Sequence, residues 1–153
     1  MKRFLAAVSV AALVIMTWAG PAFANHAISG DTVAPNSLSH SLVAGNPQCG
    51  TAPAGGFNLK IEAEDLHVGS YGPIEITAVN GTYVSWKIAD AYLNTYDANM
   101  VIVKGGPNAI VYQYGTFQDS DTRLTAPRNF SGAQPKYYGI SHVQFCFDPK
   151  ATH

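Results

Sequence analysis

The sequence predicts an all-β protein, an antiparallel β-sandwich of about six to eight strands closed by one disulfide. Three observations support this prediction. No stretch of ten residues has clear helical periodicity. Several short segments alternate apolar and polar residues between Gly and Pro turn signals. Two cysteines, Cys49 and Cys146, lie near the two ends of the strand-rich region.

The first residues of the chain have the pattern of an export signal. A basic Lys2-Arg3 pair precedes the apolar run Phe4–Trp18, and Ala22-Phe23-Ala24 follows as a small-x-small cleavage site. The apolar run is shorter than the roughly 20 residues that a membrane-spanning helix needs, which disfavours the alternative of a membrane anchor. We therefore expect residues 1–24 to be a signal peptide and the mature chain to be secreted.

Charge excludes two classes of partner. Removal of residues 1–24 leaves seven basic and ten acidic residues, a net charge of −3. Nucleic-acid binding needs a basic surface, and electrostatic docking to anionic lipid needs the same. We expect neither nucleic acid nor membrane as a partner.

Residues 25–48 are polar and interrupted by Gly and Pro, which predicts a flexible arm. Residues 49–150 are predicted to form the β-sandwich domain.

The clearest local prediction is a hairpin in the first half of this domain. Phe57–Glu62 alternates as a half-buried strand does, and so does Ile74–Val79. Asn80-Gly81 follows immediately, and this dipeptide suits a two-residue hairpin turn because both of its residues readily adopt positive φ. The return strand is Thr82–Ile88.

The second half is predicted to contain three strands and one long loop. Met100–Lys104 is apolar enough for a central strand, and Ala109–Tyr114 returns after a Gly-Gly-Pro turn. Residues 115–139 are expected to form a loop, and a loop of this length is often functional. Ile140–Phe147 is the last strand, with an expected shift in register near His142. Ile88–Tyr96 is predicted to contain one or two helical turns.

The two cysteines are expected to pair. An exported chain with two cysteines favours a disulfide over two free thiols, and this one joins the ends of the domain. Closing a loop of about 100 residues contributes up to roughly 4–5 kcal/mol in the chain-entropy model.

From Val84 onward the chain resembles a group of secreted bacterial domains found in actinobacteria and other Gram-positive bacteria. The matching pieces are Trp86, Val101–Ala109, Val111–Tyr114, Ser120–Thr122, Leu124, Ala126-Pro127 and Gly139–Asp148. The resemblance implies a secreted β domain in which the upstream cysteine pairs with Cys146, and it implies no established activity. The chain departs from the pattern at Asn99, Ile110, Arg123 and Thr125, where the pattern has aspartate, asparagine, glycine and histidine. A site that used this histidine would be missing here.

Aromatic residues and one lysine are the candidate ligand-binding residues. Tyr112 and Tyr114 share one face of a strand, and Tyr137 and Tyr138 lie in the 115–139 segment. Tyrosine stacks on sugar rings and is common on adhesive surfaces, although it also fills cores. Lys104 ends an apolar strand. It is interpreted either as a ligand-binding or isopeptide-forming cation, or as an ion-pair partner of Asp121 or Asp148.

No pattern in the sequence predicts a known catalytic site. Asp119 and Asp121 are spaced to bind Ca²⁺ together with loop carbonyls. The rest of an EF-hand pattern is absent, and the alternative interpretation is a solvated acidic loop. No cofactor other than Ca²⁺ is expected. His142 has no convincing nucleophile beside it and is interpreted as a structural histidine.

The expected function is non-enzymatic binding of an extracellular polysaccharide or protein. One alternative is a secreted hydrolase whose site is assembled only by folding, for example by convergence of Glu62, Glu64, Asp119 and Asp121. A structural component of the envelope or matrix is the other alternative.

Overall fold

A computed structural model describes residues 39–115, 118–131 and 136–150 of the chain. The predicted signal peptide and the first part of the predicted arm lie outside these residues. Within them the chain forms eleven strands and one short 3-10 turn, Asp90–Tyr92. The strands are β1 (Ser39–Ala44), β2 (Phe57–Glu62), β3 (Gly69–Tyr71), β4 (Ile74–Val79), β5 (Tyr83–Ile88), β6 (Tyr96–Gly105), β7 (Asn108–Gln113), β8 (Ser120–Thr125), β9 (Arg128–Asn129), β10 (Lys136–Tyr137) and β11 (Ile140–Pro149).

The strands form two main antiparallel sheets and a small hairpin. The five-stranded sheet has the order β1-β7-β6-β11-β2, the four-stranded sheet has the order β3-β4-β5-β8, and β9 pairs with β10. Every described strand pair is antiparallel. The predicted fold class, an all-β antiparallel sandwich with one disulfide, is confirmed.

The core lies between the two main sheets. Alternate residues of the central strands point inward, as the period of two requires. The four-stranded sheet contributes Ile76, Trp86 and Leu124, and the five-stranded sheet contributes Val103 and Phe145, all fully or almost fully buried. Large aromatic and branched side chains from both sheets therefore fill one continuous apolar layer.

The two strands of the predicted hairpin are confirmed, but the turn between them is not the predicted two-residue turn with positive φ at both positions. Among the described residues Gly81 has positive φ and Asn80 does not, and the pair that flanks the turn is Val79 with Val84. Strands β4 and β5 pair with Ile74 opposite Ile88, and Asn80-Gly81 lies in the turn between them. The Asn80 side-chain oxygen accepts hydrogen bonds from the Thr82 and Tyr83 backbone N–H groups, which closes the turn. The shift in register near His142 is also present, as an irregularity between Ile140 and His142.

Two stretches differ from the prediction. The described part of the expected arm contains β1, which pairs along its length with β7 and extends the five-stranded sheet. The expected 115–139 loop contains β8, an edge strand of the other sheet, and the β9–β10 hairpin. Both β1 and β8 lie at sheet edges, where one row of backbone groups is not paired within the sheet, and the sequence of β8 is mostly polar.

No helix in the described residues is long and apolar enough to cross a membrane.

Candidate functional site

The outer face of the five-stranded sheet carries the disulfide. Cys49 and Cys146 are bonded, with Cα atoms 5.6 Å apart, as predicted. Because Phe145 and Phe147 point into the core, Cys146 between them points outward. The bond therefore pins the segment before β2 across the outer face of β11.

A patch of apolar residues lies beneath this segment. Ile102, Ala109 and Val111 are buried on the outer side of β6 and β7, and Cys146 completes the cluster. Gln144 fixes the segment further, since its side-chain oxygen accepts a hydrogen bond from Cys49 N and its amide donates to Gln48 Oε1 at 2.9 Å.

A cleft opens beside the disulfide, between this segment and the ends of three strands. Its volume is about 290 Å³. This is near the lower limit of small-molecule sites, which typically occupy about 300–1,000 Å³. The cleft is lined by Gly50, Thr51, Ala52, Pro53, Asn58, Asn99, Met100, Cys146, Phe147 and Asp148.

Three of the residues that line the cleft, Asn58, Asn99 and Asp148, carry side-chain oxygen acceptors. Asn58 donates its amide to Gly50 O at 2.8 Å, and Asn99 donates its amide to Asp148 Oδ2 at 2.7 Å. Within the described part of the chain, these bonds leave Asn58 Oδ1, Asn99 Oδ1 and Asp148 Oδ1 without a donor. An ionised aspartate at position 99 could not donate this hydrogen bond to Asp148, whereas the Asn99 amide does.

A second polar group lies on the same outer face, further along β11. His142 is opposite Glu62 on one neighbouring strand and Lys104 on the other. It is 6% exposed, and its Nδ1 is 3.9 Å from Glu62 Oε2. Burial lowers the pKa of His142; Lys60 and Lys104 also lower it, and Glu62 opposes them. The pKa of Glu62 is lowered, chiefly by its hydrogen bond with Lys60.

The prediction that Tyr112 and Tyr114 form an exposed binding face is wrong. They share a face, but that face is the inner one, where Tyr112 is 2% exposed and Tyr114 is 8% exposed. Tyr112 Oη accepts a hydrogen bond from Thr125 N at 2.8 Å, and Tyr114 Oη donates to Asp121 Oδ2 at 3.0 Å. Burial, together with the adjacent Asp121 carboxylate, raises the pKa of Tyr114 well above its usual range. Both side chains tie the core to β8.

The remaining predicted ligand-binding residues lie elsewhere. Tyr138 is half-buried and packs on the Gly105-Gly106 turn, where a Cβ at Gly106 would be 2.6 Å from its ring. Tyr137 is also half-buried, and its ring lies 5.5 Å from the Arg128 guanidinium. The Lys104 ammonium donates to Gly106 O, so neither Asp121 nor Asp148 is its partner.

Asp119 and Asp121 have different surroundings, which argues against the predicted pair of calcium ligands. Asp121 is fully buried; besides Tyr114, its carboxylate accepts the Thr122 backbone N–H. Asp119 is 3.4 Å from Lys150 Nζ. The described residues contain no group of three or more His, Cys, Asp or Glu side chains placed to hold a metal ion.

Ile110 lies on β7, and Arg123 and Thr125 lie on β8. Arg123 has a φ of 58°, a left-handed conformation that glycine adopts without steric cost. Thr125 is buried beside Tyr112, and Ile110 is a fully buried core residue. The Arg123 guanidinium lies 5.8 Å from the centroid of the Tyr83 ring.

The cleft residues Asn58, Asn99 and Asp148 were not predicted. They lie in or next to predicted strands, but only the register of β2, β6 and β11 brings them together. Asn58, for example, is brought to the disulfide by its pairing with Cys146 across β2 and β11, which the sequence does not show.

No protein-family model, curated protein or solved structure matches the chain.

Proposed function

We propose that this chain is a secreted, non-enzymatic binding module that holds an extracellular saccharide in the cleft beside the disulfide. The observation that carries the proposal is the set of three acceptor oxygens, on Asn58, Asn99 and Asp148, in one open cleft. Sugar hydroxyl groups are donors of matching chemistry, and amide and carboxylate side chains are the groups that orient a small ligand in such a site.

The apolar part of the cleft supports the same ligand class. Met100, Pro53 and the disulfide offer non-polar surface beside the three oxygens. A sugar ring presents C–H groups on its faces and hydroxyl groups at its edge, so a cleft with both kinds of surface suits it. The volume of about 290 Å³ limits the occupant to a small unit of a polysaccharide, such as a chain end or a short exposed segment.

The disulfide supports the proposed location. Disulfides persist in oxidising, extracellular surroundings, where the predicted signal peptide would deliver the chain. Since Cys146 is part of the cleft lining, the cleft wall depends on a bond that such surroundings maintain.

The surroundings of the carboxylates give no support to the hydrolase alternative. Glu62 lies beside Lys60 on the outer face of β2, Asp119 beside Lys150, and Asp121 against Tyr114 inside the sandwich. These three carboxylates contact different partners and do not meet at one point.

The test is retention of the oxidised Asn25–His153 protein on insoluble polysaccharides and bacterial cell walls, with calcium and with a chelator. We expect retention of the native protein. Asn99→Ala should weaken it about tenfold or more, the effect of one or two lost hydrogen bonds to the ligand. Asp90→Asn is the matched control, because Asp90 is exposed and does not line the cleft.

Failure of every matrix to retain the protein would contradict the saccharide proposal and point to a protein partner. Retention that Asn99→Ala and Asp148→Asn leave unchanged would contradict the location. Loss of retention in the presence of the chelator would show that binding also requires a cation beside the three oxygens.

A further inference from the structure

Lys150 closes one end of the sandwich, directly after the last strand. Its backbone N–H donates to Thr95 O at 2.8 Å, which continues the ladder one step beyond the pair formed by Pro149 and Tyr96. Asp97 is the diagonal neighbour of this position on β6. Diagonal neighbours on one face of an antiparallel pair are about 7–8 Å apart, within reach of a lysine side chain.

Two carboxylates and one carbonyl surround the ammonium group. Lys150 Nζ donates to Leu93 O at 2.8 Å and to Asp119 Oδ1 at 3.4 Å. It also lies 3.4 Å from Asp97 Oδ1, but without hydrogen-bond geometry. The side chains of Lys150 and Asp97 are 21% and 12% exposed, and that of Asp119 is 44% exposed.

Asp97 is the unusual member of this group. The residue as a whole is 9% exposed, and its Oδ1 is buried with no hydrogen-bond donor in the part of the chain that the structure describes. A buried carboxylate paired with lysine normally accepts a charge-assisted hydrogen bond of about 2.7–2.9 Å. Here other acceptors, Leu93 O and Asp119 Oδ1, hold the amine beside the Asp97 carboxyl group.

We propose that Lys150 and Asp97 condense to an intramolecular amide, with Asp119 carrying the protons. The bond between Lys150 Nζ and Asp97 Cγ forms, and one Cγ–O bond of Asp97 breaks. Two protons pass from the ammonium nitrogen through the Asp119 carboxylate to the departing oxygen, which leaves as water. Asp119 ends in its starting form, and nothing is oxidised or reduced.

Burial favours the product. An ion pair removed from water has a desolvation cost that only excellent geometry offsets, and the Lys150–Asp97 contact lacks that geometry. Condensation replaces the two charges with a neutral amide and releases water to the solvent. Asp119 suits the role of proton carrier because it is more exposed than Asp97 and is already hydrogen-bonded to Lys150.

The amide would join the end of β11 to β6. The disulfide attaches the same strand at Cys146, on the outer face of the sheet. The last strand would then be held by two covalent links, one of which survives reduction.

The experiment is intact-mass measurement of the reduced, denatured Asn25–His153 protein after folding. We expect a mass lower than that of the sequence by about 18 Da, the water lost. A tryptic digest should contain one branched peptide that joins the segments around Asp97 and Lys150. Lys150→Arg should restore the full sequence mass, because a guanidinium stays charged and does not form the amide.

A second variant tests the role of Asp119. Asp119→Asn keeps a side-chain oxygen beside Lys150 but removes the proton-carrying carboxylate, so the amide should form at least about a hundredfold more slowly after folding. Lys104→Arg is the matched control; its ammonium bonds Gly106 O and should leave the loss of mass unchanged.

The full sequence mass in folded native protein would overturn the proposal. So would a loss of about 18 Da that persists in Lys150→Arg, because the water would then have left another group, such as an aspartate that forms a cyclic imide.

Discussion

Polar groups on the inner side of the five-stranded sheet differ from those that line the cleft on its outer side. On the inner side, the hydroxyls of Tyr112 and Tyr114 are bonded to Thr125 and Asp121 on β8. On the outer side, the cleft beside Cys146 holds three oxygens without donors in the described residues. The comparison teaches that an aromatic pair on one strand face does not identify a binding surface, because satisfied groups inside a core cannot take a ligand.

The largest expected effect is that of removing the disulfide, which should change both the stability of the fold and the binding at the cleft. Replacing both cysteines, Cys49→Ser with Cys146→Ser, should lower the free energy of unfolding by about 2–4 kcal/mol. It should also abolish polysaccharide retention, because the segment that forms one wall of the cleft is released. Urea unfolding and the retention assay measure the two effects.

The unreduced native protein is the reference for this variant. Adding reductant should bring the native protein to the same stability and leave the double variant unchanged. A double variant that keeps full retention would show that the cleft wall does not depend on the disulfide.

The next effect is confined to the inner side. Tyr114→Phe removes the hydroxyl that donates to Asp121 and leaves this buried carboxylate short of a donor, which should cost about 1–3 kcal/mol. Retention at low denaturant should not change. Urea unfolding checks the loss, and Tyr92→Phe is the control because Tyr92 is 38% exposed. Weakened retention in folded Tyr114→Phe would contradict the claim that the inner-side tyrosines take no part in ligand binding.

A smaller effect concerns β8, the strand that carries Asp121 and Thr125. Arg123 has a left-handed backbone at φ 58°, which costs an ordinary residue about 1–2 kcal/mol. Arg123→Gly should therefore be about 1 kcal/mol more stable than Arg123→Ala. Both variants lose the contact with the Tyr83 ring, so their difference isolates the backbone. Thermal or urea unfolding measures it, and equal stabilities would contradict a left-handed conformation at this position.

The smallest effect belongs to the outer side. Burial lowers the pKa of His142 in the folded protein. As the pH falls, His142 is therefore protonated in the unfolded chain at a higher pH than in the folded chain. The contribution of His142 to stability is present above about pH 6.5, its unfolded value, and is lost as the pH falls toward its lower folded pKa. Unfolding by urea at several pH values between about 7.5 and 5.5 checks this slope.

His142→Gln should flatten the slope in this range. An unchanged slope in His142→Gln would mean that other groups produce it.

The fold was predictable from the sequence where alternation coincides with turn chemistry. Phe57–Glu62 is reproduced to the residue. Asn80-Gly81 correctly marks the turn of the hairpin, although the turn is closed by the Asn80 side chain and not by positive φ at both residues. Strands β1 and β8 were not predictable, because edge strands that are paired on one side only tolerate polar sequences such as Ser120–Thr125.

The candidate site was hardly predictable at all. Alternation shows that Tyr112 and Tyr114 share a face, but it does not show which face is inner when the neighbouring residues Ile110 and Val111 are both apolar. Here both faces of β7 are buried, one in the core and one under the disulfide segment. Asn58 and Asn99 meet only through pairing with β11, a long-range register that local pattern does not contain.

Mapping of backbone amide chemical shifts on ligand addition tests the central claim most directly. The ¹⁵N-labelled, oxidised Asn25–His153 protein is titrated with soluble oligosaccharides prepared from the polysaccharide that retains it. The account predicts that the largest changes fall on Gly50, Thr51, Asn58 and Asn99, around the cleft. Changes concentrated instead on the β9–β10 hairpin and the exposed Phe130 would contradict it.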